Sequence, residues 1–394
     1  MRAPFLILFI ILMINLFVDL YIYTQCKRRC NSKRWAKLQK ATSLALILVM
    51  IAEMAIPAKE GCQAMLLAKM WILFAYLTIY IPKYLAVVFD IIASIPRLWH
   101  HKRLRWLTCT GMALSIVVFA SLWWGALVNR YRIQVKEVNI EVAGLPPSFD
   151  GFRIVQFSDL HTGTFGRDTA FVAKMVDRIN SLDADVIVFT GDMVNRQSDE
   201  MLPFISPLSR LKSPEGTYAI LGNHDYGDYK NWPDEKAKQD NMESLYEAYN
   251  AAGINLLRND YRWLRNGTDS IALIGVENIG DPPFKTYGSL KRSYPDLSDA
   301  NMKILLTHNP QHWVDSIAGH KGVNIPLTLS GHTHAMQMEI GGFSPGQFRY
   351  PTWGGLYSDN TAHELYVNIG AGTVGVPMRL GATPEITVLT LRSK

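Results

Sequence analysis

The chain has 394 residues, 48% of them hydrophobic, and a formal net charge of +6. The charge is uneven, since residues 1–128 hold 15 Lys/Arg and 4 Asp/Glu, whereas residues 129–394 hold 25 Lys/Arg and 30 Asp/Glu. A nucleic-acid-binding protein carries its basic surface on the folded, soluble part. Here that part is acidic, which excludes nucleic acid as the main partner.

Long apolar stretches occupy the first third of the chain and predict a membrane region. They cover residues 5–23, 41–57, 70–95 and 106–128. About 20 helical residues cross the hydrocarbon core of a bilayer, so these stretches predict a bundle of about four transmembrane helices with the lipid bilayer as a partner. The first stretch is not followed by the small-residue cleavage site of a signal peptide, and we interpret it as a retained anchor.

The charges of the loops predict the orientation of this bundle. Eleven Lys/Arg lie in the first and third loops, against only Lys59 and Lys69 in the second. Positively charged loops remain in the cytoplasm. Both chain termini and everything after residue 128 are therefore predicted on the outer side, which in a bacterium is the periplasmic side of the inner membrane.

A few polar residues inside the membrane region allow a second interpretation. Glu53, Lys83 and Asp90 lie within apolar stretches, and ionisable residues there often mark a transport path. A transporter with an appended domain is one alternative, although these residues lie near helix ends or near a proline, where long side chains reach the interface. Cys26 and Cys30 lack a second pair of cysteines, so plain thiols are favoured over a zinc site.

The remaining residues predict an α/β domain. Residues 129–152 are predicted as a linker with an edge strand, because "VKEVNIEV" alternates apolar and polar residues. From residue 153 to residue 394, short β-favouring runs alternate with segments of helical periodicity such as residues 169–182 and 240–253. Some runs are continuously apolar, as strands covered on both faces require. The pattern favours sheets inside and helices outside.

Five short stretches of this domain share one design, in which a strand is followed by polar, ligand-type residues. They read "FSDLHTG" (Asp159, His161), "TGDMVN" (Asp192), "LGNHD" (Asn223, His224), "LLTHNP" (His308) and "LSGHTH" (His332, His334). Carboxylate, amide and imidazole ligands together suit Mn, Fe, Zn or Co. Their number exceeds the need of one tetrahedral ion, so two divalent ions are predicted.

The spacing within these stretches suggests how the side chains converge. Asp159 and His161 are two residues apart, and so are His332 and His334. In extended backbone, this spacing points both side chains to the same side. The nearby glycines, which have no Cβ, are predicted to let the backbone pass close to the site; they are Gly191, Gly222 and Gly331.

The ordered series Asp-x-His, Gly-Asp, Gly-Asn-His-Asp, His and Gly-His-x-His resembles the calcineurin-like metallophosphoesterase superfamily, and with the apolar N-terminal region its membrane-anchored branch. The resemblance implies a four-layer α-β-β-α sandwich. It also implies the roles of the residues. The first ion would be bound by Asp159, His161 and His334, the second by Asn223, His308 and His332, and both by Asp192, while His224 would face the phosphate without binding metal.

The implied reaction is hydrolysis of a phosphodiester or phosphoanhydride. Two cations clamp the phosphate oxygens and acidify a bound water, and the resulting hydroxide attacks phosphorus. His224 would stabilise the developing charge or donate a proton to the leaving oxygen. Asn195 stands where many relatives have Asp; the position is not predicted as a ligand, so little loss is expected.

An aromatic, glycine-rich segment, residues 341–360, follows the last two histidines and suggests the substrate. Phe348, Tyr350, Trp353 and Tyr357 could form an apolar wall for a lipid or lipid-linked phosphoester, with an ordinary packed loop as the equal alternative. Arg379 is predicted either to meet the phosphate as a two-pronged donor or to form a structural salt bridge.

Two alternatives remain open at this point. Related family members include pyrophosphatases that act on UDP-2,3-diacylglucosamine in lipid A synthesis, but that substrate is cytoplasmic, whereas the loop charges predict an outer domain. A metal-binding sensor without turnover is the other alternative. The presence of His224 beside every expected ligand disfavours it, because a degenerate site would have lost some of these residues.

Overall fold

The computed structural model describes residues 2–29, 33–55, 61–282, 284–320, 322–359 and 361–394. The chain divides into two compact units, residues 1–126 and residues 127–394. We call them the helical unit and the α/β unit, and describe each by itself.

The helical unit contains four long helices among its described residues. They are α1 (Arg2–Arg29), α2 (Lys33–Ala55), α3 (Gln63–Ser94) and α4 (Arg105–Leu127). Each is long and apolar enough to cross a membrane. The helices extend beyond the apolar stretches of the sequence because polar residues continue the helical backbone; α2, for example, begins eight residues before Ala41. Residues 56 and 57 of the second predicted stretch lie outside the described residues.

The ionisable residues inside the apolar stretches have partners. Lys83 Nζ lies 2.8 Å from Asp19 Oδ1, and Lys69 Nζ lies 3.6 Å from Glu53 Oε1. The carboxylate of Asp90 is held by basic side chains in the same way, as described below. Pairing between helices lowers the cost of placing charge in a bilayer. It gives these residues a structural role, and the transporter alternative stays a hypothesis. Cys30 lies outside the described residues, so the interpretation of the cysteine pair stays a prediction.

The α/β unit is built on two six-stranded sheets. The first sheet has the order β1-β12-β2-β3-β4-β5 and the second β10-β11-β9-β8-β7-β6. The strands are β1 (Gln134–Val142), β2 (Arg153–Phe157), β3 (Val186–Phe189), β4 (Thr217–Ala219), β5 (Ile254–Leu256), β6 (Asp260–Asn266), β7 (Asp269–Gly275), β8 (Lys303–Leu306), β9 (Leu327–Ser330), β10 (Gly355–Ser358), β11 (Glu364–Val367) and β12 (Glu385–Ser393). The described helices are α5 (Ala170–Asn180), α6 (Ile205–Leu208), α7 (Glu235–Ala251), α8 (Leu290–Ser293) and α9 (Gln311–Ser316).

Alternation along the strands creates four layers. Ile154 points to a core shared with the second sheet, where Ile304 and Leu329 are also buried. Its neighbour Val155 points to the opposite face, which α5 and α7 cover. Residues on α9, including Trp313, cover the outer face of the second sheet. The predicted α-β-β-α sandwich, preceded by a transmembrane helical bundle, is therefore confirmed.

The segment before residue 153 belongs to the first sheet. Strand β1 pairs in parallel with β12 over nine residues and lies at the sheet edge. Ile140 and Val142 are each about 1% exposed, and each contributes about 1.5–3 kcal/mol by burial. Asn129 donates from Nδ2 to the Arg379 carbonyl at 2.9 Å. Residues that the sequence suggested as a linker are thus integrated into the α/β unit.

Parallel pairing decides where the polar stretches meet. In the first sheet β2, β3 and β4 run parallel, and in the second β8, β9 and β11 do. Parallel strands end at one edge of their sheet, and ligand sites of α/β proteins form outside the carboxyl ends of the strands. The loops that follow β2, β3, β4, β8 and β9 carry the predicted ligands.

Candidate metal centre

The structure brings all seven predicted metal ligands together at the carboxyl ends of these strands. Two clusters of titratable side chains form there, Asp159–His161–His334 and Asp192–His308–His332, and within each cluster the ligand atoms lie within 4.8 Å of one another. Asn223 adjoins the second cluster. Six of the seven side chains are buried, and His332 is partly buried. Because water is largely excluded, charge–charge interactions there are strong.

The first cluster joins the loop after β2 to the loop after β9. His161 Nε2 lies 3.0 Å from His334 Nε2, which lies 3.2 Å from Asp159 Oδ1. Asp159 also accepts the backbone N–H of His332, at 3.1 Å to Oδ1 and 3.0 Å to Oδ2. These contacts hold the carboxylate and both imidazoles around one small volume.

The second cluster is centred on His308. Its Nε2 lies 3.2 Å from Asp192 Oδ2, 3.2 Å from Asn223 Oδ1 and 3.2 Å from His332 Nδ1. Its Nδ1 donates to the Thr190 carbonyl at 2.8 Å. In a neutral ring this bond leaves a lone pair on Nε2, and that lone pair faces the oxygens of Asp192 and Asn223.

The carboxylate of Asp192 belongs to the second cluster and also reaches the first. The same oxygen, Oδ2, is 3.5 Å from His161 Nε2 of the first cluster and 3.2 Å from His308 Nε2 of the second. A single oxygen that reaches both groups is what a bridging ligand between two cations requires. The other oxygen, Oδ1, accepts the backbone N–H of His224 at 2.8 Å.

The donor set fits divalent cations. Acceptor atoms face one another in both clusters, and two facing imidazole nitrogens can share only one proton, whereas a cation takes a lone pair from each. The carboxyl group of Asp159 favours its ionised form. Burial alone would raise its pKa, but the neighbouring imidazoles, above all His334, hold this pKa below its usual range. Burial likewise lowers the pKa of His332 to about 3. Ionised carboxylates and neutral imidazoles are the metal-binding forms.

The environment of His308 favours a positive charge. Burial disfavours its charged form, yet the carboxylates of Asp192 and Asp159 and the Thr190 carbonyl together raise the pKa of its imidazole to about 9. The pocket therefore attracts a proton or a cation to this position, and a cation must displace that proton.

His224 lies beside the clusters without joining them. Its Nδ1 lies 2.7 Å from the Asn195 carbonyl, and because a carbonyl only accepts, Nδ1 carries the proton. The ring stacks on Tyr229, with centroids 4.1 Å apart, and meets the His161 ring edge-on at 4.8 Å. The ring is thus oriented from both sides, and Nε2 is the nitrogen left for a substrate.

Arg379 lies behind the first cluster rather than at the substrate side. Its side chain is fully buried, and it donates to the carbonyls of Gly372 (2.7 Å), Ala382 (3.1 Å) and Ile369 (2.9 Å). Nη2 also lies 3.1 Å from His334 Nδ1. The predicted two-pronged contact with phosphate is therefore not available, and neither is a direct carboxylate partner among the described residues. Burial lowers the pKa of this guanidinium to about 10.

One of the four predicted aromatic wall residues lies at the site. The Tyr350 hydroxyl is 2.9 Å from His332 Nε2. Trp353 instead packs beneath the loop against a small apolar cluster, and Tyr357 packs against the core outside the second sheet. Phe348 is 81% exposed. Of the predicted wall residues, Tyr350 is thus the one for which the structure describes a contact with a site histidine.

Sequence reasoning missed other residues around the site. Tyr229 stacks on His224, and the only feature of the sequence that could have indicated it is its position five residues after that histidine. Phe284 meets the His332 ring edge-on at 4.9 Å. Asp225, within the quoted "LGNHD", accepts the N–H groups of Gly222 (2.9 Å), Asp192 (3.0 Å) and Val194 (3.1 Å). Burial, reinforced by Asp192, raises the pKa of Asp225 to about 7.

The backbone at the ligands is not extended, which differs from the predicted reason for convergence. Asp159 (φ 52°), His161 (φ 47°), Asp192 (φ 62°), His332 (φ 77°) and His334 (φ 52°) all lie in the left-handed region. Tight turns directly after the strands, rather than strand alternation, aim these side chains. Backbone strain of this kind is concentrated at functional sites.

The predicted close approach at the glycines is present. Gly191 has φ +96°, and a Cβ there would lie 2.6 Å from the Gly222 nitrogen and 2.9 Å from His308 Nδ1. A Cβ on Gly222 would collide with the Asp192 side chain, and one on Gly331 with Ser158 and Asp159. The loops can approach one another only because these positions lack side chains.

Comparisons with known proteins agree with this geometry. Residues 1–130 match the family model described as "Probable Calcineurin-like phosphoesterase, transmembrane domain", and residues 152–336 match "Calcineurin-like phosphoesterase". The chain is 34% identical over 274 residues to the uncharacterized metallophosphoesterase YkuE of Bacillus subtilis, covering 67% of this chain and 87% of that protein. It is 32% identical over 292 residues to the transmembrane protein with metallophosphoesterase domain of Bos taurus, covering 71% of this chain and 62% of that longer protein.

Proposed function

Because the chain belongs to the calcineurin-like metallophosphoesterase family, we propose that it hydrolyses a phosphodiester or phosphoanhydride with two divalent cations in the two clusters. The observation that carries this proposal is the position of Asp192 Oδ2, within 3.5 Å of His161 Nε2 and 3.2 Å of His308 Nε2. The protein is a multi-pass membrane protein, so the reaction takes place on a membrane-anchored unit.

Each cation would be held by one cluster. Asp159, His161 and His334 fit the first, His308, His332 and Asn223 the second, and Asp192 fits a bridge between them; these donors suit Mn, Fe, Zn or Co. When bound, such a pair polarises the phosphate and acidifies a water molecule. Asn223 is the one neutral oxygen donor of the set, which limits the negative charge that an anionic phosphate must approach.

His224 is the catalytic side chain outside the ligand set. Its Nδ1 proton is committed to the Asn195 carbonyl at 2.7 Å, so Nε2 can hold a proton for the leaving oxygen or donate a hydrogen bond to a phosphate oxygen. Stacking on Tyr229 fixes the ring plane. A preoriented donor of this kind supports turnover over a sensor that only binds metal.

The substrate that we propose is a lipid or lipid-linked phosphoester. Large apolar side chains are exposed on the segment that follows the metal-site histidines, a place where a soluble protein usually presents polar residues. They are Met336 (58%), Ile340 (65%), Phe343 (47%), Phe348 (81%) and Leu356 (44%). An apolar surface so near His332 in the chain suits the acyl or prenyl part of an amphiphilic substrate.

The side of the membrane also separates two substrate classes. The loop charges support an outer, periplasmic location of the α/β unit in a bacterial inner membrane. A hydrolase of UDP-2,3-diacylglucosamine is the alternative, and it requires a cytoplasmic site. The exposed apolar segment is compatible with either, so orientation decides between them.

The reaction class is tested with the full-length protein in detergent, stripped of metal by a chelator. Adding Mn²⁺, Fe²⁺, Zn²⁺ or Co²⁺ should restore hydrolysis of bis-p-nitrophenyl phosphate with about two ions per chain. Asp192→Asn should bind less metal and lose most of the rate. Full metal binding without turnover under every ion would favour the sensor.

The lipid class is tested on the exposed segment. A Phe343→Ser/Phe348→Ser variant should raise KM for vesicle-borne phosphoesters and leave hydrolysis of bis-p-nitrophenyl phosphate unchanged. Leu202→Ser is the matched control, because Leu202 is 49% exposed but lies outside this segment. An equal KM for both variants on vesicles would rule out a role of the segment in lipid recognition.

A further inference from the structure

The helical unit contains a cavity of about 680 Å³ formed by α1, α3, α4 and the segment that joins α3 to α4. We call it the arginine pocket. Its basic lining residues are Arg29, Arg97, Arg103 and Arg105, and Asp90 is its acidic one. The rest of the described lining is uncharged and largely apolar, including Ile22, Val87 and Met112.

The single carboxylate cannot neutralise the pocket. Arg29 Nη1 lies 2.8 Å from Asp90 Oδ1, and Arg103 contacts the same oxygen. The Tyr21 hydroxyl donates to Asp90 Oδ2 at 2.6 Å, so the acceptor capacity of this carboxylate is largely used. Four guanidiniums against one carboxylate leave a surplus of three positive charges among the described lining residues.

The remaining two guanidiniums of the pocket lining belong to Arg97 and Arg105. Arg97 and Arg105 are exposed, and no side-chain acceptor in the described part of the chain contacts either one. An anion in the pocket would supply acceptors to both side chains, since a guanidinium binds phosphate oxygens in a planar, two-pronged geometry.

Neighbouring aromatic residues indicate the level in the bilayer at which the pocket lies. Trp99 and Trp106 are each 65% exposed and lie within two residues of Arg97 and Arg105 in the chain. Exposed tryptophans collect at the level of the lipid headgroups. The pocket also lies at the helix ends that the two positively charged loops connect, and these ends belong with the leaflet that carries anionic lipids.

We propose that the arginine pocket binds an anionic phospholipid, with its phosphate between Arg97, Arg103 and Arg105 and the start of an acyl chain along Val87 and Met112. The surplus positive charge selects an anion, and the apolar wall selects an amphiphile over free phosphate. The pocket belongs to the helical unit alone, so the proposal does not depend on the chemistry proposed for the metal clusters.

The first test measures lipid selectivity of the full-length protein in neutral detergent by native mass spectrometry. Dihexanoyl phosphatidylglycerol should bind in preference to dihexanoyl phosphatidylcholine, and Arg97→Gln/Arg105→Gln should weaken its binding about thirtyfold. Lys33→Gln/Lys37→Gln is the matched control, since it removes the same charge from the start of α2, outside the pocket. An unchanged preference in the arginine variant, or an equal loss in the lysine variant, would overturn the proposal.

The second test needs no substitution and therefore does not depend on the folding of a variant. Cys109 lines the pocket, whereas Cys62 is exposed elsewhere. Phosphatidylglycerol should slow alkylation of Cys109 by a maleimide and leave Cys62 unchanged, and phosphatidylcholine should slow neither. If inorganic phosphate protects Cys109 as well as the lipid does, the pocket is a site for free phosphate and the lipid assignment fails.

Discussion

At the scale of single residues, the site depends on backbone conformations that most residues avoid. Asp159, His161, Asp192, His332 and His334 all have positive φ, and each such residue costs of the order of 1–3 kcal/mol and persists only where its surroundings enforce it. Here the surroundings do enforce it, because buried hydrogen bonds from the His332 N–H to Asp159 and from the His224 N–H to Asp192 tie these loops to neighbouring ones. Strain at these positions is offset by the packing of the whole sandwich.

Gly191→Ala should therefore destabilise the α/β unit strongly. Its φ of +96° disfavours any side chain, and the new Cβ would lie 2.6 Å from the Gly222 nitrogen. Gly253→Ala is the control, since Gly253 has φ +69° but no described heavy atom within 4 Å of the added Cβ. Gly253→Ala should cost about 1–2 kcal/mol, and Gly191→Ala about 1–3 kcal/mol more. Thermal unfolding in detergent measures both; equal melting temperatures would contradict the steric argument.

His224→Ala should lower kcat by about 10²–10⁴-fold and leave the metal content unchanged. The reason is that its ring contacts Asn195, Tyr229 and the edge of His161 but offers no atom to either cluster. Steady-state kinetics with metal analysis of the same sample checks this. His320→Ala, at an exposed position, should change neither kcat nor metal content. A loss of metal in the His224 variant would show that His224 is a metal ligand.

At the scale of elements, the site requires two loops of the first sheet to be tied together. Asp225, in the loop after β4, accepts the N–H groups of Asp192 and Val194 in the loop after β3, at 3.0 and 3.1 Å. It also accepts the N–H of Gly222 in its own loop. One carboxylate thus sets the position of Asp192, the proposed bridging ligand, relative to Asn223.

Asp225→Ala should leave these three buried N–H groups without an acceptor, at about 1–3 kcal/mol for each unsatisfied group. We expect a lower melting temperature and weaker metal binding, because Asp192 loses its support. Asp225→Asn keeps one carbonyl oxygen and should lose less of both. Calorimetric metal titration and thermal unfolding compare the two variants; equal losses would show that the charge, rather than the acceptor, matters.

The edge strand is the second element with a testable consequence. Strand β1 pairs with β12 over nine residues, and an unpaired β12 would present an open sheet edge that promotes association. A protein starting at Leu127 should be monomeric in size-exclusion chromatography, whereas one starting at Arg153 should aggregate. Monomers of equal stability from both would mean that β1 is dispensable.

At the scale of the whole molecule, charge distribution carries the information about orientation. The net charge of +11 within residues 1–128 is concentrated in two loops, whereas residues 129–394 carry −5. Alkaline phosphatase fused after Lys394 should therefore be active and green fluorescent protein dark, because the loop charges predict that the C-terminus is outside. Fusions at Lys102 in the third loop should give the opposite result, an inactive phosphatase and a fluorescent green fluorescent protein. A fluorescent C-terminal fusion would reverse the orientation and favour the cytoplasmic alternative.

The sequence by itself determined the membrane region, the α/β fold with helices outside the sheets, and eight candidate side chains, of which the family resemblance selected seven as metal ligands. These follow from local chemistry: apolar length, strand-forming runs, and ligand-type residues placed where strands end. It also indicated β1, but β6 and β10 escaped prediction, since "DYRWLRN" and "GLYS" are mostly polar or exposed and pair only because a neighbouring strand is present.

Only the tertiary structure decided which other residues act at the site and how. Arg379 appeared free to meet a phosphate, yet it is buried against three backbone carbonyls. Tyr229 and Phe284 reach histidine rings, and Asp225 ties two loops, through contacts that no spacing in the chain encodes. The physical reason is that a ligand is defined by its own side chain, whereas its support is defined by which distant segments pack against it.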